Sequence, residues 1–231
     1  MGNEYYRIAL VGNPNTGKST LFNALTGLRQ HTGNWAGKTV SLAQGSVDFK
    51  NKTFQLIDLP GTYSLFSNSK DEEVARNYIA FEKPDVTLVV LDATSLERNF
   101  NLALQVMEMT TNVIICINLI DIAEKQGIEI HEKRLMNLMG VPVLKISARN
   151  KLGFPMLLDT IDRIVNGDIK CQSFQLKYPE EIEKKILKIE QQIHEIIGDT
   201  VSARWVALRI LDGDESLINE ITKQFKLRGD Y

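Results

Sequence analysis

Arg7-Ile8-Ala9-Leu10-Val11-Gly12-Asn13-Pro14-Asn15-Thr16-Gly17-Lys18-Ser19-Thr20 is the stretch on which the reading of this chain turns. It opens with a strand-like run, passes through a loop bounded by glycines and leads into a helical pattern over Ser19–Thr26. Gly12–Ser19 matches G-x-x-x-x-G-K-[ST], and strand–loop–helix is the context that this motif requires. The glycines permit a tight turn in which several backbone N–H groups converge on phosphate oxygens. The helix that follows contributes the positive end of its dipole. Lys18 supplies a mobile ammonium for the β- and γ-phosphates, and the Ser19 hydroxyl is a Mg²⁺ ligand. Gly12, Asn13, Pro14, Asn15, Thr16, Gly17, Lys18, Ser19 and Thr20 are the expected phosphate-binding residues. By ordinary residue frequencies such a match arises by chance in about one chain in a hundred of this length, so an incidental glycine-rich turn is set aside.

On either side of the loop the sequence alternates short β-rich runs with helical patterns. The spacing predicts strands at Arg7–Val11, Thr53–Ile57, Val86–Leu91, Val113–Asn118 and Val143–Ile146, with Ser41–Phe49 as an antiparallel edge strand. Several are apolar throughout, as central strands covered on both faces are. Helices are predicted near Ser19–Thr26, Asp71–Phe81, Asn99–Met109, His131–Met139 and Gly153–Val165. The alternation implies an α/β fold of the P-loop NTPase class, with a mostly parallel sheet between two layers of helices. Residues 1–168 form this nucleotide-binding domain in our reading. Gly167–Tyr178 is polar and aperiodic, and beyond it Ile182, Ile186, Ile189, Ile193 and Ile196 mark one face of an amphipathic helix that starts at Pro179. With helices around Ser202–Leu211 and Glu215–Phe225, residues 169–231 are read as a small helical domain that packs on the first.

Three further segments fall at the carboxyl ends of predicted strands, where open α/β sheets bind ligands. Asp58-Leu59-Pro60-Gly61 places an acid where it can hold a Mg²⁺-bound water and an N–H, that of Gly61, where it can meet a γ-phosphate. The polar loop Thr62–Lys70 that follows has the character of a switch ordered by that phosphate. Asn118-Leu119-Ile120-Asp121 decides the base: a carboxylate at Asp121 accepts from guanine N1–H and the exocyclic amine, which adenine does not offer. At Ser147-Ala148 the Ala148 N–H is expected to reach guanine O6. Within His31–Val40, Thr39 is chosen as the hydroxyl that completes the Mg²⁺ shell, with Thr32 as the second candidate. Thr62 stands where Ras-like enzymes carry a water-orienting glutamine, so unassisted GTP hydrolysis is expected at roughly 10⁻⁴ to 10⁻² s⁻¹.

Composition fits this picture and excludes others. The chain has 231 residues, 43% hydrophobic and 24% charged, with 27 Lys and Arg against 29 Asp and Glu for a formal charge of −2. That balance lacks the basic excess of a nucleic-acid-binding surface. Cys116 and Cys171 fit no metal-ligand spacing, and Cys116 lies in an apolar run where a buried, inert thiol is expected. His31, His131 and His194 are scattered and read as surface or capping residues, and Trp205 as core. No apolar stretch approaches the roughly 20 residues that cross a bilayer, so a cytosolic location is expected.

Taken together, GNPNTGKS at Gly12–Ser19, GNWAGKTV at Gly33–Val40, DLPGTYSL at Asp58–Leu65 and ARWVALRILD at Ala203–Asp212 resemble the N-terminal cytosolic region of FeoB-type bacterial ferrous-iron transporters. The resemblance covers essentially the whole chain. It implies a GTPase domain, a helical domain that favours GDP retention, and a C-terminal membrane permease that this sequence does not contain. It also implies K⁺ beside the phosphates, held by Asn15 with the carbonyls of Gly33 and Trp35, where a cation neutralises transition-state charge as an arginine finger does. Lys38 departs from the apolar residue usual before the switch threonine, and a tethered ammonium there would weaken the dependence on K⁺. The catalytic set implied is Lys18, Asn15, Thr39 and Gly61, with Ser19, Thr39 and Asp58 around Mg²⁺. The partners are GTP and GDP, with no nucleic acid; a homo-oligomer is compatible with the reading. The location implied is the cytoplasmic face of the bacterial inner membrane. An RNA-associated GTPase of the ribosome-assembly or tRNA-modification type shares the first and third motifs but usually appends a basic domain. A nucleotide-binding scaffold without turnover is the third reading.

Overall fold

The computed structural model describes residues 4–27, 30–34, 41–66 and 69–225. One mixed sheet of seven strands organises them: β1 (Glu4–Gly12), β2 (Gln30–Asn34), β3 (Ser41–Phe49), β4 (Lys52–Asp58), β5 (Val86–Asp92), β6 (Val113–Asn118) and β7 (Val143–Lys145). Their spatial order is β2-β3-β4-β1-β5-β6-β7. From β4 to β7 all neighbours run parallel, whereas β3 pairs antiparallel with both β2 and β4. Ser41–Phe49 is thus antiparallel as expected, but it is not the edge. The strand outside it, Gln30–Asn34, carries polar residues without an alternating pattern and gave no strand signal.

The all-apolar strands follow from burial on both faces. In β1, Ile8 and Leu10 point to one side and Ala9 and Val11 to the other; β5 and β6 repeat this with Leu88 and Val90 against Val89 and Leu91, and Ile114 and Cys116 against Ile115 and Ile117. Helices α1 (Lys18–Thr26) and α6 (Phe154–Val165) cover the first face through Leu21, Phe22, Leu157 and Ile161. Helices α2 (Lys70–Phe81) and α3 (Leu96–Met109) cover the second through Val74, Tyr78, Leu102 and Val106. Two shorter helices, α4 (Ile120–Lys125) and α5 (Glu132–Met139), lie between β6 and β7. Local sequence fixes the helix starts. Ser69 accepts the Glu72 N–H at 3.2 Å as the N-cap of α2, and Asp71, Glu72 and Glu73 sit in the first turn, where acids complement the dipole.

The segment after α6 is extended and is fastened to α5 by Gln172 N–H donating to Gly140 O and Phe174 N–H to Met139 O. Helices α7 (Glu180–Ile197), α8 (Ala203–Leu211) and α9 (Glu215–Gln224) follow. Their own interior is small, Ile186 of α7 against Ala207 and Leu208 of α8, whereas Ile197, Trp205, Val206, Leu217 and Ile221 join the same apolar cluster as α2 and α3. Arg76 of α2 crosses this junction to Asp214, the N-cap of α9, at 3.0 Å, with 1% of the Arg76 side chain exposed. Of the isoleucine face of α7, Ile186 is fully buried whereas Ile182 and Ile196 are each more than a third exposed. Among the described residues no helix is long and apolar enough to cross a membrane.

Candidate nucleotide-binding site

Strand β1 lies between β4 and β5, so the strand order reverses beside it and a crevice opens at its carboxyl end. The loop Asn13–Gly17 fills that position. Gly17 has φ +79°, in the left-handed region, and a Cβ there would collide with the Asn118 side-chain amide. Both facts demand glycine at this position. Thr16 turns its hydroxyl back onto Asn13 O at 2.9 Å, which closes the loop on itself. Asn15 is exposed and also has a left-handed backbone, φ 68°, a conformation that asparagine tolerates better than most residues.

Lys18, at the start of α1, is buried, and its ammonium donates to Asp58 Oδ1 and, at 2.5 Å, to Leu59 O. Ser19 donates to the other Asp58 oxygen at 3.0 Å. The lysine and serine of the first motif and the aspartate of the second, 40 residues apart in sequence, therefore form one hydrogen-bonded cluster. Gly61 packs against Pro14, with its Cβ position 3.5 Å from Pro14 Cα, and Thr62 N–H donates to Gly12 O at 3.2 Å. Thr62, at the position of the missing glutamine, is buried and donates its hydroxyl to Ser64 O at 2.6 Å. Its side chain is thereby committed to its own loop.

At the other end of the crevice Asn118 is fully buried. Its amide nitrogen donates to Thr16 O at 2.8 Å and its oxygen accepts from Ala148 N–H at 2.9 Å. The asparagine ties the phosphate loop to the segment after β7. The Ala148 N–H, expected to reach guanine O6, donates to Asn118 in this structure. Asp121 lies half-buried in the first turn of α4. Ser147, which precedes Ala148, is buried, and its N–H donates to Leu152 O at 3.2 Å. Thr20 is exposed on α1. Gly33 lies in β2, paired with Leu42, and Thr32 pairs with Ala43 in the same ladder. Trp35, Lys38 and Thr39 lie outside the described residues. The histidines His31, His131 and His194 are exposed, Cys116 and Trp205 are buried, and burial pushes the Cys116 thiol up to about 12.

The sequence reading missed the supports of the loop after Gly61. Leu65 N–H donates to Gln105 Oε1 of α3 at 2.7 Å, the Arg98 guanidinium lies 5.0 Å from the Tyr63 ring, and that of Arg209 in α8 lies 4.4 Å from the Phe66 ring. These partners stand 35 or more residues away, and nothing local in the sequence pairs them with this loop.

The arrangement is that of a G domain, and comparison with known proteins agrees. Residues 6–161 match the family described as ferrous iron transport protein B, and residues 178–229 match the FeoB cytosolic helical domain. The chain belongs to the FeoB family. It is 42% identical over 224 residues to the Fe(2+) transporter FeoB of Methanocaldococcus jannaschii, which covers 96% of this chain and 33% of that protein. The cytosolic domain of the T. maritima FeoB iron transporter in its GDP form superposes with a TM-score of 0.87 at 35% identity, over 99% of this chain and 88% of that one. Its GMPPNP form gives a TM-score of 0.84 at 34% identity, over 98% and 88%. The chain spans about a third of the length of such FeoB relatives.

Proposed function

We propose that this chain binds GTP and GDP, hydrolyses GTP slowly, and regulates a membrane ferrous-iron permease from the cytoplasmic face. The observation that carries the reading is the Lys18–Asp58–Ser19 cluster at the carboxyl ends of β1 and β4, tied through Asn118 to the strand that leads to Asp121. The GDP and GMPPNP forms of the T. maritima domain support it. Residues 1–168 act as the G domain and 169–231 as the helical domain. Phosphates lie along Gly12–Thr20, and guanine is read by Asp121 with Asn118, Ser147 and Ala148 around it.

The donors fit a hard divalent cation. The Ser19 hydroxyl and the Asp58 carboxylate are oxygen groups 3.0 Å apart, suited to Mg²⁺, which takes few protein oxygens and keeps several waters. Thr39 is the third ligand proposed. When bound, Mg²⁺ neutralises charge on the β- and γ-phosphate oxygens. Asn15, exposed at the outer bend of the loop, with the carbonyls of Gly33 and Trp35, suits K⁺. Water attacks the γ-phosphorus, the bond to the β–γ bridging oxygen breaks with its electron pair staying on GDP, and the γ-phosphoryl group leaves as inorganic phosphate, the water's proton passing to that phosphate or to solvent. Lys18 and the Gly61 N–H offset the charge that shifts during this step. With its hydroxyl turned to Ser64, Thr62 does not take the place of the water-orienting glutamine, and slow turnover is expected.

Phosphate release in Mg²⁺ and KCl tests the reading. The wild-type chain is expected to turn over GTP at roughly 10⁻⁴ to 10⁻² s⁻¹ and Lys18→Ala at least tenfold more slowly. Equal rates for the two sink hydrolysis at this site. Equal rates in KCl and NaCl remove K⁺ from the mechanism.

A further inference from the structure

We propose that Gln105 is a positioning residue for GTP hydrolysis: from α3 it sets the loop that presents the Gly61 N–H to the γ-phosphate. The inference rests on the function proposed above. Residues 61–66 have no regular secondary structure, so their backbone is set by individual bonds. Near Gly61 the loop is fastened to the phosphate-binding segment by Thr62 N–H on Gly12 O. In its middle the Thr62 hydroxyl closes a turn on Ser64 O. Its far end is held by Gln105 Oε1, which accepts the Leu65 N–H at 2.7 Å. The Leu65 side chain, 3% exposed, plugs into the core cluster beneath.

The other half of the Gln105 amide argues for a role beyond packing. Its Nε2 is buried and has no hydrogen-bond partner among the described residues. A buried donor left unpaired is unfavourable, and an apolar side chain of similar shape would avoid it. Glutamine at this position is explained by the one bond its oxygen makes. That bond fixes the far end of a turn whose near end, four residues earlier, is Gly61. Without it Leu65 N–H loses its acceptor, the turn relaxes, and the Gly61 N–H loses its alignment with the γ-phosphate. GDP has no γ-phosphate, so its binding stays untouched.

The test compares Gln105→Met, Gln105→Ala and Gln105→Glu with the wild type in the whole chain. GTP turnover is measured, together with the affinities for GDP and for GMPPNP. Met fills the space of glutamine without an acceptor, and Glu keeps the acceptor. Met and Ala are expected to lower kcat and the GMPPNP-to-GDP affinity ratio each by about five- to tenfold, with GDP affinity unchanged. Glu is expected to restore both. A wild-type ratio and kcat in the Met variant overturn the inference, as does equal weakening of GDP and GMPPNP, the signature of a merely structural side chain. A Met variant that melts with the wild type excludes global unfolding as the cause. If the wild type binds no guanine nucleotide, the functional reading falls and takes the inference with it; nucleotide binding with an unmoved ratio overturns the inference alone.

Discussion

Asn118 is a polar side chain without exposed surface, and both ends of its amide are used. Replacing it by alanine leaves Thr16 O and Ala148 N–H without this partner, at about 1–3 kcal/mol for each orphaned group. Asn118→Ala is expected to lose about 2–6 kcal/mol in urea titrations, and a change below about 0.5 kcal/mol would contradict the strut. Asp121 makes a prediction about chemistry instead of stability. An amide nitrogen in place of one carboxylate oxygen donates where guanine also donates, and it matches the C2 carbonyl of xanthine. Asp121→Asn is expected to weaken guanine nucleotides by about a hundredfold and to gain affinity for xanthine nucleotides. Competition against a fluorescent nucleotide reads both.

Among the elements, α7 and α8 are joined by the ion pair of Glu183 with Arg204. Arg204 binds Glu183 through both nitrogens at 2.9 and 2.8 Å, and Tyr178 N–H donates to the same carboxylate at 2.9 Å. The Arg204 bonds foremost, then the Tyr178 N–H, hold the Glu183 carboxyl down at about 2, below its ordinary 4.5. A depressed carboxyl contributes stability that is fully present above its unfolded value and is lost as pH falls through the folded one. The stability of the chain is therefore expected to fall between about pH 4.5 and 2, and Glu183→Gln to flatten that fall. Melting temperatures measured across this window check it; parallel curves would rule the pair out. Elsewhere Lys50 and Lys52 both reach Asp162 at 2.6 Å, which binds the β3–β4 hairpin to α6 and holds the Asp162 carboxyl below its usual range.

At the scale of the molecule the question is whether the helices after residue 179 unfold with the sheet. They share one apolar cluster with α2 and α3, and the buried Arg76–Asp214 pair crosses the junction. Burial pushes the Arg76 guanidinium below its usual range while Asp214 opposes that shift, so removing either partner strands a charge in the interior. Arg76→Ala is expected to cost about 3–5 kcal/mol. One cooperative transition is also expected, with the fluorescence of buried Trp205 and far-UV circular dichroism coinciding in urea. A Trp35→Phe background isolates Trp205. Two separated transitions would show that the helical region folds alone.

The chain's own pattern was enough for the P-loop class, six of the seven strands found among the described residues and the order of motifs, because apolar strands buried on both faces and a glycine-bounded loop are local signals. It also placed Lys18, Ser19 and Asp58 at strand ends, and their meeting follows from a parallel sheet. The strand Gln30–Asn34 escaped because its pairing with β3 supplies what its side chains do not. The use of Ala148 N–H by Asn118, the grip of Gln105 on Leu65 and the seating of Phe66 under Arg209 were decided by tertiary structure alone. Each joins groups 30 or more residues apart through single bonds or one ring contact. No periodicity encodes such bonds, since they exist only once the sheet and its helices have brought the partners within reach.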